Sequence, residues 1–182
     1  MVFTQVLEAI RQRRSVRSFK PEPLTREQLE TILEAAVWAP SGGNRQAWRF
    51  VVVTDPRRIG AVRALSPGMP GIPTAVVVAC SDLGLSSGGA GKPEGEAVVL
   101  CDVSMACQNM MLAAWSLGIG SCVIRSFSQL GVARLLGLPE GIRPELLVAL
   151  GYPARIPPAP PRRPMEEVVH WETIGGHGNH GG

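Results

Sequence analysis

The sequence lacks several signatures that would place it in a common class of proteins. Aromatic residues make up only 5% of the 182 residues, and the net charge is a modest +3. Since a nucleic-acid-binding face normally combines broad positive charge with aromatic side chains, we predict no nucleic-acid partner. No GxGxxG motif follows a predicted strand, so the usual dinucleotide-binding fingerprint is absent.

Signals for membranes and export are also missing. No uninterrupted apolar run reaches the roughly 20 residues that a membrane-spanning helix needs. The first segment, MVFTQVLEAIRQRR, is amphipathic and has neither a long apolar core nor a small-residue cleavage site. We therefore predict a cytoplasmic protein with no membrane partner.

Metal-ligand spacing is absent as well. The four cysteines, at positions 80, 101, 107 and 122, form no CxxC pair, and no histidine lies at ligand spacing from them. Each cysteine lies within an apolar run, which favours a buried, reduced thiol. His177 and His180 could bind a metal, but their glycine-rich surroundings favour an unstructured terminus. We predict no metal site.

The length and hydrophobic content of the chain predict one globular domain. A chain of 182 residues with 45% hydrophobic content can bury a full core, so we expect a single domain at 1–174 and a disordered Gly/His tail at 175–182. Two predicted helices precede the first strand, and the longest helix, about 94–117, lies between strands two and three. This order favours an α+β fold, with a central mixed β-sheet surrounded by helices, over a Rossmann fold.

Local signals mark most elements. Thr25 and Gln28 form a capping box for the second helix, which should end before Pro40. The runs RFVVVTD, TAVVVAC, SCVIRSF and ELLVALGYP predict four strands. The composition of SDLGLSSGGAGKPEG predicts flexibility, and the prolines between 153 and 164 predict an extended arm.

The long helix is apolar on nearly every side. This pattern predicts burial all round, in a domain core or at a subunit interface. Asp102 and Asn109 share one of its faces, and we expect them to make buried hydrogen bonds at a dimer contact.

Three polar clusters could hold an anion or a heterocycle. In RRSVRSF, the guanidinium groups of Arg13, Arg14 and Arg17 suit a phosphate, and Ser15 adds a hydroxyl; a solvated basic helix end explains the pattern equally well. The second cluster is Ser41, Asn44 and Gln46, whose amides could bind the edge of a heterocycle, although turn chemistry also explains it. The third is Arg162 with Arg163, which alone would be solvated charge.

Together, RRSVRSF, APSGGNRQAWRFVVV, CQNMMLAAWSLGIGSCVIRSF and PRRPMEEVVHW resemble, in this order, the nitroreductase family of flavin enzymes, over about residues 5–172. The resemblance implies an intertwined homodimer with FMN at the subunit interface. It assigns the FMN phosphate, ribityl chain and pyrimidine edge to Arg13, Arg14, Ser15 and Arg17. It implies that Pro40, Ser41, Asn44 and Gln46 approach the flavin from the other subunit. It also implies that Ile124, Arg125 and Ser126 lie near flavin N5 and that Arg162 and Arg163 complete the phosphate site.

The sequence departs from the family pattern at two positions and in one segment. Ala47 replaces the usual proline before tryptophan, which loosens a turn without removing a ligand. Arg125 stands where many members carry a small or acidic residue, and it could restrict or recruit an anionic substrate. The segment between VVVTD and the long helix is short for the family, so the substrate range stays open.

The resemblance implies an FMN-dependent oxidoreductase that transfers electrons from NAD(P)H to nitroaromatic, quinone or related acceptors by a ping-pong mechanism. FMN carries the chemistry, so no catalytic side chain is expected; Arg17 should stabilise the anionic reduced flavin. Reductive dehalogenases and oxygen-using flavin-destroying enzymes share the fold and remain alternatives. A module that stores or senses FMN without turnover is the alternative outside the enzymes. The acceptor and the choice between NADH and NADPH stay open.

Overall fold

The computed structural model of the chain describes residues 2–86 and 93–176. The helices are α1 (Val2–Gln12), α2 (Arg26–Val37), α3 (Pro56–Ala64), α4 (Pro93–Ser116), α5 (Gln129–Leu136) and α6 (Met165–Val168). The strands are β1 (Trp48–Val53), β2 (Ala75–Asp82), β3 (Gly120–Ile124) and β4 (Ile142–Gly151). The segment predicted to be flexible is described in part: its first two residues end β2, its last three begin α4, and residues 87–92 lie outside the described residues, as does the tail from 177 with both of its histidines. Those expectations and the domain boundary stay predictions.

The four strands form one sheet in the order β1-β2-β4-β3, and all three pairings are antiparallel. The four-stranded sheet is therefore antiparallel rather than mixed as predicted, and among the described residues parallel pairing occurs only in an isolated bridge that joins Ser15, outside the four strands, to Ser121. Every residue from Ala75 to Ser81 of the central strand β2 is buried, as its continuous apolar run predicts. The predicted α+β class is confirmed.

Helices cover both faces of the sheet because side chains alternate along the strands. On β4, Val148 and Leu150 point into the core that α2 and α4 cover. Leu147 and Ala149 point into the opposite core, which α3 and α5 cover. Both ends of the sheet are thereby left free for loops, which is where the candidate site residues lie.

The predicted helix signals are present. Gln28 N–H donates to Thr25 Oγ1 at 3.2 Å, and Thr25 N–H donates to Gln28 Oε1 at 3.0 Å, which completes the capping box of α2. That helix ends at Val37, before Pro40. The caps of α3 and α5 are Asp55 and Ser128. The predicted capping box and the predicted end of α2 are confirmed.

The long helix α4 is buried on one face only. Val103, Ala106 and Met110 are fully buried, whereas Val98 and Met105 are 39% and 38% exposed. Burial all round, as predicted, would therefore need a second chain. By length and composition alone the stretch Glu94–Ser116 could cross a membrane, but its buried face is part of the core. The cytoplasmic location stays a prediction.

The cysteines are less uniform than expected. Cys101, on the open face of α4, is exposed, so its predicted burial is wrong within one chain. Cys80, Cys107 and Cys122 are buried. Burial raises the pKa of Cys80 and of Cys107 to about 12, with Glu145 adding to the effect at Cys80. These two thiols are therefore protonated, unreactive parts of the core.

Candidate functional site

The segment from Arg13 to Arg17 leaves α1 and runs beside the start of β3. Val16 N–H donates to the Ser121 carbonyl at 2.9 Å, next to the parallel bridge of Ser15. Val16 is fully buried against Gly120, where a Cβ atom would come within 2.8 Å of the valine side chain. The backbone is thus fixed to the sheet, while the polar side chains around Val16 line a groove.

This groove, here named the arginine groove, has a volume of about 470 Å³. Two segments line it. The first contributes Arg13, Arg14, Ser15 and Arg17, and the second, the proline-rich stretch 153–164 that we name the proline arm, contributes residues 157–162. The structure therefore brings Arg162 to the first cluster. Arg163 is not among the lining residues and instead pairs with Glu167 at 3.0 Å.

A smaller groove of about 210 Å³ adjoins the first and shares Ser15, Arg17 and Pro157 with it. It adds Arg155, which no sequence pattern indicated. The proline arm carries this arginine past Arg17, so only the path of the arm could have identified it.

No carboxylate is among the described residues that line the arginine groove. Arg13 Nη1 is buried and has no hydrogen-bond partner among the described residues. Burial lowers the pKa of Arg13, and the charges of Arg14 and Arg162 lower it further. A buried donor without an acceptor costs free energy, as does the approach of like charges. A phosphate in the groove would satisfy the donor and neutralise the cluster, so these residues fit a phosphate-bearing cofactor.

The second predicted cluster lies on the loop between α2 and β1. Gln46 N–H donates to Ser41 Oγ at 3.0 Å, and Gln46 Nε2 lies 3.3 Å from Asn44 Oδ1. Asn44 and Gln46 both have positive φ, at 53° and 51°. Such backbone conformations are uncommon outside glycine and are concentrated at functional sites. The loop, with Pro40 at its start, exposes Asn44 and Gln46 to solvent.

Helix α4 holds this loop in place. Both oxygens of the buried Asp102 carboxylate accept the Gly42 N–H at 3.2 Å. Asn109 Nδ2 donates to the Ala35 carbonyl at 3.0 Å. The predicted hydrogen bonds exist, but both are made within one chain rather than across a dimer contact. Ala47, despite the missing proline, is anchored because its carbonyl accepts the Asp82 N–H at 2.8 Å.

The third group follows β3. Ile124 is buried, whereas the Arg125 side chain is 53% exposed and Ser126 is exposed. Gly68 N–H donates to the Ser126 carbonyl at 3.2 Å, and a Cβ atom on Gly68 would lie 2.8 Å from Ser126 Cβ. Residue 126 therefore packs directly on the loop at 67–72, here named the glycine loop.

The glycine loop also packs on the segment from Arg13 to Arg17. A Cβ atom on Gly71, whose φ is 62°, would lie 2.7 Å from the Arg17 carbonyl oxygen. The loop therefore links Arg17 to Ser126. The prolines and glycines of residues 67–72 indicate only a loop, although the close spacing of the two glycines was the available signal for this packing.

Within one chain, the predicted site residues form two groups. Arg13, Arg14, Ser15, Arg17 and Arg162 line the arginine groove, and the glycine loop connects them to Ile124, Arg125 and Ser126. In the described part of the chain, the side-chain hydrogen bonds of Ser41, Asn44 and Gln46 stay within the α2–β1 loop and do not reach that first group. Their role in binding stays a prediction that depends on a second chain.

Comparison with known proteins identifies the family. The nitroreductase family model matches residues 10–67 and 60–152. The chain belongs to the nitroreductase family. It is similar to the FMN reductase (NADPH) of Bacillus subtilis, with 31% identity over 183 residues that cover 92% of the chain and 73% of that protein. It is also similar to the NADH dehydrogenase of Thermus thermophilus, with 32% identity over 188 residues, 87% of the chain and 92% of that protein.

Solved structures agree with this assignment. NfrA1 of B. megaterium superposes with a TM-score of 0.86 at 32% identity, over 92% of this chain and 74% of that one. Membership in the nitroreductase family confirms the predicted fold and the prediction of an NAD(P)H-dependent oxidoreductase. The roles of individual residues stay predictions.

Proposed function

We propose that the chain is an FMN-dependent oxidoreductase that takes electrons from NAD(P)H and passes them to nitroaromatic, quinone or related small acceptors. In this ping-pong scheme the nicotinamide nucleotide leaves before the acceptor enters. The observation that carries the proposal is the buried, unpartnered Nη1 of Arg13 in a groove that three further arginines line. Relatives named as FMN reductases support the choice of cofactor.

Different residues of the arginine groove would bind different parts of FMN. Arg13, Arg14 and Arg162 supply guanidinium donors for the phosphate, and Ser15 supplies a hydroxyl. Arg17, in contact with the glycine loop, would place positive charge beside the flavin ring. FMN itself supplies the hydride and electron transfer when bound, so the chain needs to orient it and to stabilise its charge. Ile124, Arg125 and Ser126 would border the ring.

We assign the remaining contacts to a second copy of the chain. Val6, Leu7 and Ile10 on α1 are 54%, 52% and 49% exposed, and Val98 and Met105 add apolar surface on α4. A monomer seldom exposes so much contiguous apolar surface. In an intertwined homodimer these faces would be covered. Pro40, Ser41, Asn44 and Gln46 of one copy would then approach the cofactor bound by the other.

The test is an absorption spectrum of the purified protein, a sizing measurement and an anaerobic titration with NADH and NADPH. A yellow dimer that either nucleotide bleaches, and whose colour a nitroaromatic or quinone restores, supports the oxidoreductase. Colour that persists with both nucleotides favours a module that stores or senses FMN. A colourless monomer that takes up no added FMN contradicts both.

A further inference from the structure

A buried carboxylate lies at the end of the sheet away from the arginine groove. The Glu145 side chain is 1% exposed. It occupies a β-bulge, because the β2–β4 register moves from Ala79–Leu146 to Cys80–Pro144 and leaves Glu145 unmatched. A bulge turns a side chain away from the regular alternation, often beside a functional site. Here it turns a carboxylate into the interior.

Glu145 is the centre of a polar network. Its Oε1 accepts hydrogen bonds from Ser81 Oγ at 2.9 Å and Arg143 Nε at 2.6 Å. Its Oε2 lies 3.4 Å from Gln129 Nε2 and 3.9 Å from Arg125 Nη2. Helices and strands from several parts of the chain therefore fix this carboxylate in one position.

The two arginines of this network are held differently. Arg143 is held by two carboxylates, since its Nη1 also donates to Glu96 Oε2 at 2.7 Å. Burial alone would lower the pKa of Arg143, but the hydrogen bonds to Glu96 and Glu145 outweigh burial and raise it. Arg125, in contrast, approaches Glu145 at 3.9 Å, beyond hydrogen-bond distance, and is half exposed. Charge attracts Arg125 to the carboxylate, while its N–H donors make no hydrogen bond to the described residues.

The backbone places Arg125 beside the proposed flavin site. Its neighbour Ser126 packs on Gly68, and Gly71 of the same glycine loop packs on Arg17. Resting on the proposed function, we infer that Glu145 positions Arg125 as the anion-binding group of the acceptor site. The enzyme then selects acceptors that carry a carboxylate or a similar anion over neutral acceptors of the same shape.

The experiment compares 4-nitrobenzoate with its neutral methyl ester as acceptors for the NAD(P)H-reduced holoenzyme. The two differ in intrinsic reactivity, so the informative quantity is the change in the ratio of their kcat/KM values between variants. Arg125→Gln is expected to lower the anion-to-ester ratio about tenfold, the loss of one charge-assisted hydrogen bond. Arg125→Lys should restore part of it. Arg134→Gln, which removes an exposed charge from α5, should leave the ratio unchanged.

Glu145 is tested as a positioning residue. Glu145→Gln keeps the shape but removes the charge that attracts Arg125, so the ratio should fall, through a higher KM for the anionic acceptor. A second measurement avoids turnover: 4-(trifluoromethyl)benzoate is titrated into the oxidised holoenzyme and followed by 19F NMR. It should bind the wild type more tightly than Arg125→Gln. This measurement, like the Arg125 variants, does not depend on the folding of the Glu145 variant.

The outcomes separate the two proposals. If NAD(P)H bleaches the protein and both acceptors are reduced, but the wild type and Arg125→Gln give the same ratio and equal benzoate affinity, the inference is overturned and the oxidoreductase stands. If Arg125→Gln changes the ratio and Glu145→Gln does not, Glu145 has no positioning role. A protein that binds no FMN, or that neither nucleotide reduces, removes the proposed function and this inference together.

Discussion

In the arginine groove, Arg13, Arg14 and Arg162 face one another, and no described carboxylate is among the lining residues. At the far end of the sheet, Arg143 lies between two carboxylates at hydrogen-bond distance. Both regions combine charges from distant parts of the chain, yet of the two only the second contains described carboxylates that balance its arginines. Repulsion among like charges that the chain does not balance lowers the stability of the folded protein, which indicates that an external partner balances them. A balanced cluster needs none and can serve to position a neighbour.

The largest expected effect comes from breaking the balanced region. Arg143→Gln leaves the buried Glu145 with Arg125 as its nearest cation, so the free energy of unfolding should fall by about 3 kcal/mol. Urea denaturation measures it. Adding Glu145→Gln should recover part of the loss, since no charge then stays buried. If the free energy of unfolding falls no more than it does for an ordinary surface substitution, the network is well solvated and contributes little to stability.

The opposite behaviour is expected in the arginine groove. Arg13→Gln should weaken FMN binding about 10- to 100-fold, as charge-assisted hydrogen bonds to the phosphate are lost. The FMN-free protein should keep or gain stability, because a partly buried cation among like charges is removed. Fluorescence titration with FMN and urea denaturation of the apoprotein measure the two effects.

Arg57→Gln on α3 is the matched control for Arg13→Gln, because it removes the same charge from an exposed position outside the groove lining. Equal loss of FMN affinity in both variants would mean that net charge, and not the groove, attracts the cofactor. A strongly destabilised Arg13→Gln apoprotein would mean that the groove is balanced by contacts within the chain.

The two regions also differ in how far the sequence predicted them. Local patterns identified the capping box of Thr25, the central strand β2 and the basic segment beginning at Arg13, because each depends on residues close in the chain. Glu145 looked like an ordinary charge at the start of a strand, since burial follows only from a bulge formed with β2. Composition likewise could not show that Cys101 lies on the open face of α4, because core and subunit contacts are equally apolar.

A smaller effect is expected at the point where the groove meets the glycine loop. Arg17→Ala removes a positive charge beside the proposed ring position, so reduced FMN should be less stable. A loss of about 1.4 kcal/mol corresponds to a two-electron reduction potential about 30 mV more negative. Potentiometric titration of the holoprotein measures this shift, with Arg57→Ala as the charge-matched control. An unchanged potential would place Arg17 away from the ring and leave it a role in phosphate binding.

The smallest difference distinguishes two neighbouring arginines that the sequence could not separate. Arg162 lines the groove and lowers the pKa of Arg13, whereas Arg163 pairs with Glu167 in the solvent. Arg162→Gln should therefore weaken FMN binding about fivefold to tenfold, a loss that added salt diminishes, and Arg163→Gln should change it less than about twofold. Each variant is the control for the other, since both remove one charge from the same arm. Equal losses would mean that the proline arm contributes only a diffuse positive field, and a larger loss for Arg163→Gln would mean that the arm takes a different path in the holoenzyme.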